Sequence, residues 1–173
     1  DLAVGRFPVE TITETVAMVD KTIQYETNLL TPEEWQAHMV FLYDDADLAG
    51  NFYNSIVINT LPFIPDSLTK TVIGLEASDS DVGLLRNTLF DIINAGGGKS
   101  YPQNKTVINW RGHGSVDVWG PNVLRSSDAS LGVLQNINKP IISSSFDCLD
   151  GHFSYPRWTS LSESLMRLDQ GRG

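Results

Sequence analysis

The chain has 173 residues, 41% of them apolar, and a formal net charge of −9 with a pI near 4.6. That length fits a single domain with one substantial core. So acidic a surface repels phosphate backbones and offers no basic stripe, which argues against nucleic acid as a partner. No membrane span is expected, because the longest apolar runs, such as Val107-Ile108 and Pro140-Ile141-Ile142, are far too short. No signal peptide is visible in the opening Asp1-Leu2-Ala3-Val4-Gly5-Arg6, which reads as the middle of a domain.

In chain order, Thr11-Ile12-Thr13-Glu14 is a capping-box pattern. It precedes Val16, Val19 and Ile23 at helical spacing, which predicts a helix running to about Glu26. Thr31-Pro32-Glu33-Glu34 is a second such start, with proline at the first helical position. Residues 38–43 (HMVFLY) read as a buried strand that ends in Asp44-Asp45-Ala46-Asp47. A helix is predicted over residues 52–61 and a strand over 69–75 (TKTVIGL). Ser78 or Asp79 should open a helix carrying Val82, Leu85, Leu89 and Ile92-Ile93, stopped by Gly96-Gly97-Gly98. Strands follow at 105–110 (KTVINW) and, after an irregular stretch over 119–138, at 140–146 (PIISSSF). Ser160-Leu161-Ser162-Glu163 is again a capping box and starts a final helix.

Strands alternating with helices, and apolar runs in place of strict alternation, predict an α/β domain with a largely parallel sheet. A further strand would ordinarily follow the last helix, so the fold is expected to be incomplete at its ends.

Cys148 is the only cysteine, which excludes an internal disulfide framework and any multi-cysteine zinc site. Taken alone, such a residue is most often a small buried hydrophobe. Its surroundings alter that reading. The strand 105–110 runs through Arg111 into Gly112-His113-Gly114-Ser115, and the strand 140–146 runs into Asp147-Cys148-Leu149-Asp150-Gly151. Reactive groups gather beyond the carboxyl ends of strands in a parallel sheet, where both of these segments fall. A cysteine nucleophile needs a proton-transfer partner and donors for the oxyanion. His113 can supply the first, and the backbone N–H groups of Gly114 and Cys148 the second. A glycine-flanked histidine on its own would as readily be a surface turn; its pairing with the Cys148 segment carries the argument.

The order of apolar strand, His-Gly, spacer, apolar strand and Cys resembles the caspase-like clan of cysteine peptidases, and within it the bacterial gingipain family. Residues 1–8 (DLAVGRFP) are similar to that family's opening strand, and 19–26 (VDKTIQYE) to the helix after it. Trp35 begins the segment leading into the family's first central strand. Residues 109–115 (NWRGHGS) with Trp119 resemble the histidine motif; 148–153 (CLDGHF) and 160–165 (SLSESL) resemble the cysteine motif and the helix beyond it. The resemblance implies a caspase-like three-layer sandwich with a mostly parallel sheet, truncated at both ends, so that residues 1–173 form one partial catalytic domain. It implies hydrolysis of peptide bonds through a thioacyl intermediate on Cys148, with His113 protonating the leaving amine and then activating water. The partners implied are a protein or peptide substrate and flanking domains of the same protein, in a secreted or surface-bound bacterial setting. No cofactor is required, and a structural calcium is compatible with the family.

An acidic residue after the first central strand supports the histidine in gingipains. The candidates here are Asp44, Asp45 and Asp47, and Asp45 is favoured as the strand-end carboxylate. The family's selection of arginine or lysine before the cut rests on an acidic loop residue with no match in this chain, so basic specificity does not carry over. His152, four positions after Cys148, could suggest a metal site with Cys148 and His113, but one cysteine and two histidines lack a usual zinc spacing here. The competing reading is a gingipain-like scaffold that no longer cleaves and serves in protein binding or secretion. Gly96-Gly97-Gly98-Lys99-Ser100 echoes a phosphate loop, but Ile93 stands where that pattern needs glycine and the stretch follows a helix.

Overall fold

The computed structural model describes residues 5–28, 37–75, 81–94, 107–169 and 172. Helix α1 spans Ile12–Asn28. Its capping box is formed as the sequence indicates: Glu14 N–H donates to Thr11 Oγ1 (3.1 Å) and Thr11 N–H to Glu14 Oε2 (3.0 Å). The face it turns inward differs from the expectation. Val16, Val19 and Ile23 are exposed, while Met18 is buried and Met18, Lys21 and Tyr25 line a groove shared with Ile141, Ile142 and Leu165. Lys21 decides that orientation. Its ammonium donates to the carbonyls of Met166 (2.9 Å) and Arg172 (2.8 Å), with those of Leu165 and Leu168 at 3.3 Å. Cations at a helix C-terminus satisfy carbonyls that have no partner inside the helix.

Strands β1 (His38–Tyr43), β2 (Thr69–Gly74), β3 (Val107–Arg111) and β7 (Ile142–Phe146) form a four-stranded, all-parallel sheet in the order β2-β1-β3-β7. Central β1 is buried along nearly its whole length, as a strand covered on both faces must be. One face carries Val40, Leu42, Ile108 and Trp110 and packs under α3 (Val82–Ile93) and α5 (Leu161–Met166). The other carries Phe41 and Tyr43 and packs under Ile56 of α2 (Phe52–Val57), with Leu61 of a 3₁₀ turn at Leu61–Phe63 beside it. Helices on both faces complete the three-layer arrangement the resemblance implied.

Element boundaries shift where local chemistry dictates. The helix expected over 52–61 divides into α2 and the 3₁₀ turn, with Pro62 at the turn's start. Helix α3 begins at Val82 because the Asp81 carboxylate caps it, accepting from Leu84 N–H at 2.9 Å; Ser78 and Asp79 lie outside the described residues. So do Thr31-Pro32-Glu33-Glu34 and the glycine run at 96–98. Strand β7 starts after Pro140, which has no N–H to give the ladder. The Ser160 capping box on α5 is formed in both directions.

The stretch over 119–138, read as irregular, is partly regular. Two-residue strands β4 (Gly114–Ser115), β5 (Val118–Trp119) and β6 (Leu124–Arg125) make a small antiparallel sheet, followed by the short helix α4 (Ser126–Ser130). Strands this short leave no alternation to read in the sequence. The sheet carries Trp119 into the core, where it stacks on Trp110 with centroids 5.9 Å apart. Trp110 and Trp119 are therefore packing residues, whereas Trp158 is exposed.

Candidate active site

The register of the sheet sets the two candidate reactive residues at corresponding places. β3 and β7 pair with Arg111 opposite Phe146, so His113 and Cys148 each lie two residues beyond that pair. Gly112 N–H reaches back to the Phe146 carbonyl at 3.4 Å, holding the two exits together.

The His113 main chain is fixed from three sides. Its N–H donates to Asp44 Oδ2 (3.0 Å), and its carbonyl accepts from Gly120 N–H (2.9 Å) and from the Trp110 indole Nε1–H (3.0 Å). Gly112 makes this approach feasible. A Cβ there would sit 2.5 Å from Asp44 Cβ and 2.7 Å from Trp110 Cζ2, closer than atoms tolerate. The imidazole itself remains half-exposed. Its Nε2 lies 2.7 Å from Asp47 Oδ2, and Phe52 meets the ring edge-on at 5.5 Å.

Among the described residues, the carboxylate bonded to the ring is Asp47's, whereas Asp45, favoured from the sequence, gives its N–H to Asp44. Asp44 takes up the histidine's backbone N–H, and its Oδ1 accepts the Asp45 N–H at 3.1 Å. A bridge between Asp47 and Gly50 then closes the loop and returns Asp47 to the imidazole. Burial raises the Asp44 carboxyl above its usual range, against the pull of its two N–H donors. The hydrogen bond that the imidazole donates to Asp47 raises the His113 pKa, and the same bond lowers that of Asp47.

The sign follows from this. A histidine whose pKa is raised contributes stability fully below its unfolded value and loses it as pH climbs past the folded one. Asp47→Asn is therefore expected to lower the His113 pKa toward the ordinary value of 6.5, read from the histidine ring resonances in an NMR titration. An unmoved titration would show that Asp47 does not hold the ring.

Cys148 is exposed in the turn after β7. The next residue, Leu149, has φ of +70°, a left-handed conformation that is unfavourable by ~1–2 kcal/mol for a residue with a Cβ. Backbone held in such a conformation concentrates at functional turns. Phe146 and Leu149, which flank Asp147-Cys148 in the chain, are exposed, as are Phe153 and Trp158 further along, and the Arg111 guanidinium lies 4.3 Å over the Phe146 ring. His152 packs against Tyr155 at 5.5 Å. With Asp44 and Asp47 both directed at His113, no three His, Cys, Asp or Glu side chains among the described residues converge as a metal cage.

The two loops touch through a residue the sequence did not single out. Asp147, just before Cys148, sets its carboxyl against Gly114: a Cβ on that glycine would fall 2.0 Å from Asp147 Oδ2. Asp150 lies buried alongside, accepting from the Trp119 indole Nε1–H (2.9 Å) and from the Ser145 hydroxyl. An acidic residue beside a lone cysteine gives no sequence signal of burial, so only the packing discloses it.

The fold and its strand-end histidine and cysteine define a caspase-like α/β domain. The family model for peptidase family C25 matches residues 1–173, and the chain belongs to that family. Gingipain R2 of Porphyromonas gingivalis (strain W83) is 27% identical over 171 residues, covering 96% of this chain and 21% of the relative. Gingipain R1 of the same species is 26% identical over 171 residues, covering 16% of its length. Among solved structures, the Arg-specific cysteine proteinase gingipain R aligns with a TM-score of 0.72 at 23% identity, over 97% of this chain and 37% of that one. A complex of gingipain pro- and mature domains from P. gingivalis gives 0.71 at 25% identity, with the same coverage. The chain thus spans about a fifth of gingipain R2.

Proposed function

We propose that this chain carries the reactive dyad of a cysteine endopeptidase, with Cys148 as nucleophile and His113 as general acid and base. The observation that supports this best is the position of both residues at matching offsets beyond paired, parallel strands. In this reading Asp47 holds Nε2 of the ring, leaving Nδ1 as the nitrogen that serves the reaction. The Cys148 sulfur attacks the scissile carbonyl carbon and the C–N bond breaks, with His113 delivering its proton to the departing amine. His113 then takes a proton from water as the water oxygen attacks the thioester; the C–S bond breaks and His113 returns that proton to the departing Cys148 sulfur. The N–H groups of Gly114 and Cys148 receive the oxyanion in both steps.

The substrate is a protein or peptide, as membership of a peptidase family supports, and an extracellular bacterial setting belongs to the same proposal. No helix among the described residues is long and apolar enough to cross a membrane. The test is labelling of the full-length protein by a peptidyl electrophile, located by mass spectrometry. Rapid labelling at Cys148 that slows sharply in His113→Ala is the expected result. Labelling at the same rate in both proteins would overturn the dyad and favour a binding scaffold.

A further inference from the structure

The Asp147 carboxyl poses a physical problem. Its Oδ2 is buried and receives no hydrogen bond from an N–H or O–H of the described residues, and a Cβ on Gly114 would fall 2.0 Å from the same oxygen. A carboxylate in that position would be an uncompensated charge beside a second acid, Asp150. Asp150 accepts from two donors, the Trp119 indole N–H and the Ser145 hydroxyl. Asp147 does not. The charged group facing it is Asp150, on its own turn; β4 offers it the Gly114 backbone, while the His113 imidazole is turned to Asp47.

We propose that Asp147 is a positioning residue: as a neutral acid sharing its proton with Asp150, it wedges beneath Gly114 and fixes the gap between the His113 and Cys148 loops. This rests on the peptidase reading above, since the gap it sets is the one across which His113 and Cys148 would act. Burial first, then the charge of Asp150 and a hydrogen bond with it, push the Asp147 carboxyl up to about 8. An acid whose folded pKa is raised in this way binds its proton more tightly when folded. Its contribution to stability therefore falls as pH rises from the ordinary 3.8 to about 8, and is level beyond. Ionisation would drive the carboxylate away from Asp150 and out from under Gly114, moving an oxyanion donor relative to the thiol. A displacement of that kind lowers turnover more than binding.

The test compares full-length wild-type protein with Asp147→Asn and Asp147→Ala. Infrared difference spectra across about pH 5 to 9 should show a protonated-carboxyl band in the wild type that titrates near the upper end and is missing from Asp147→Asn. Hydrogen exchange at residues 113–115 should quicken in Asp147→Ala and stay slow in Asp147→Asn, whose amide keeps the shape and a donor. In peptide hydrolysis, Asp147→Ala should lose ~10-fold or more in kcat with little change in KM. Asp147→Asn should retain kcat and outlast the wild type on the alkaline side. A wild-type band identical to that of Asp147→Asn, or superimposable pH profiles for the two, would overturn the proposal. If no protein cleaves, while the band and exchange results are as expected, the positioning contact stands and the peptidase reading fails.

Discussion

Cys148→Ala in the full-length protein is expected to abolish peptide cleavage, and His113→Ala to lower kcat/KM by about 10²–10⁴-fold. The two differ because they remove different things. Without the sulfur no thioacyl intermediate can form; without the imidazole the thiol remains, but its attack and the departure of the amine lack a proton carrier. Groups that act as a unit are not additive in their loss, so the double variant should be no worse than Cys148→Ala. A digest of a peptide library followed by mass spectrometry measures all three and reveals the residue preferred before the cut. Undiminished cleavage by Cys148→Ala would sink the assignment.

Trp110→Ala should lower the unfolding free energy by roughly 3–5 kcal/mol, the usual range for emptying the space of a buried aromatic ring. Trp110 has no exposed surface, stacks on Trp119, and gives its indole N–H to the His113 carbonyl. Trp110→Phe isolates the last of these contacts. It keeps much of the ring volume and leaves a buried carbonyl short of a donor, a penalty of about 1–3 kcal/mol. Urea denaturation gives both values. A change below about 1 kcal/mol for Trp110→Ala would mean that the ring does not anchor the loop.

The central sheet could be read from the sequence because its signals are local. HMVFLY at 38–43 is too apolar and too short for anything but a buried strand, and the glycines around His113 mark a turn at a strand end. The capping boxes at Thr11 and Ser160 were equally plain, since each needs only residues three apart. The inward face of α1 was not legible, because long-range bonds from Lys21 override the apolar spacing of Val16, Val19 and Ile23. Among Asp44, Asp45 and Asp47 nothing local distinguishes the ring's partner; the Asp47–Gly50 bridge that selects it is a property of the closed loop. Asp147 was silent for the same reason, as its burial depends on a glycine from another strand.

The Lys21 contacts also bear on the order in which the molecule assembles. The carbonyls they reach lie 144 to 151 positions along the chain. Closing so large a loop carries an entropic penalty that grows with its length, and contacts of such separation slow folding. The central strands can pair before that loop closes, so α1 docks only once α5 has formed and its carbonyls are in place. Unfolding should run in the reverse sense, with α1 released first while the strands bearing His113 and Cys148 are still paired.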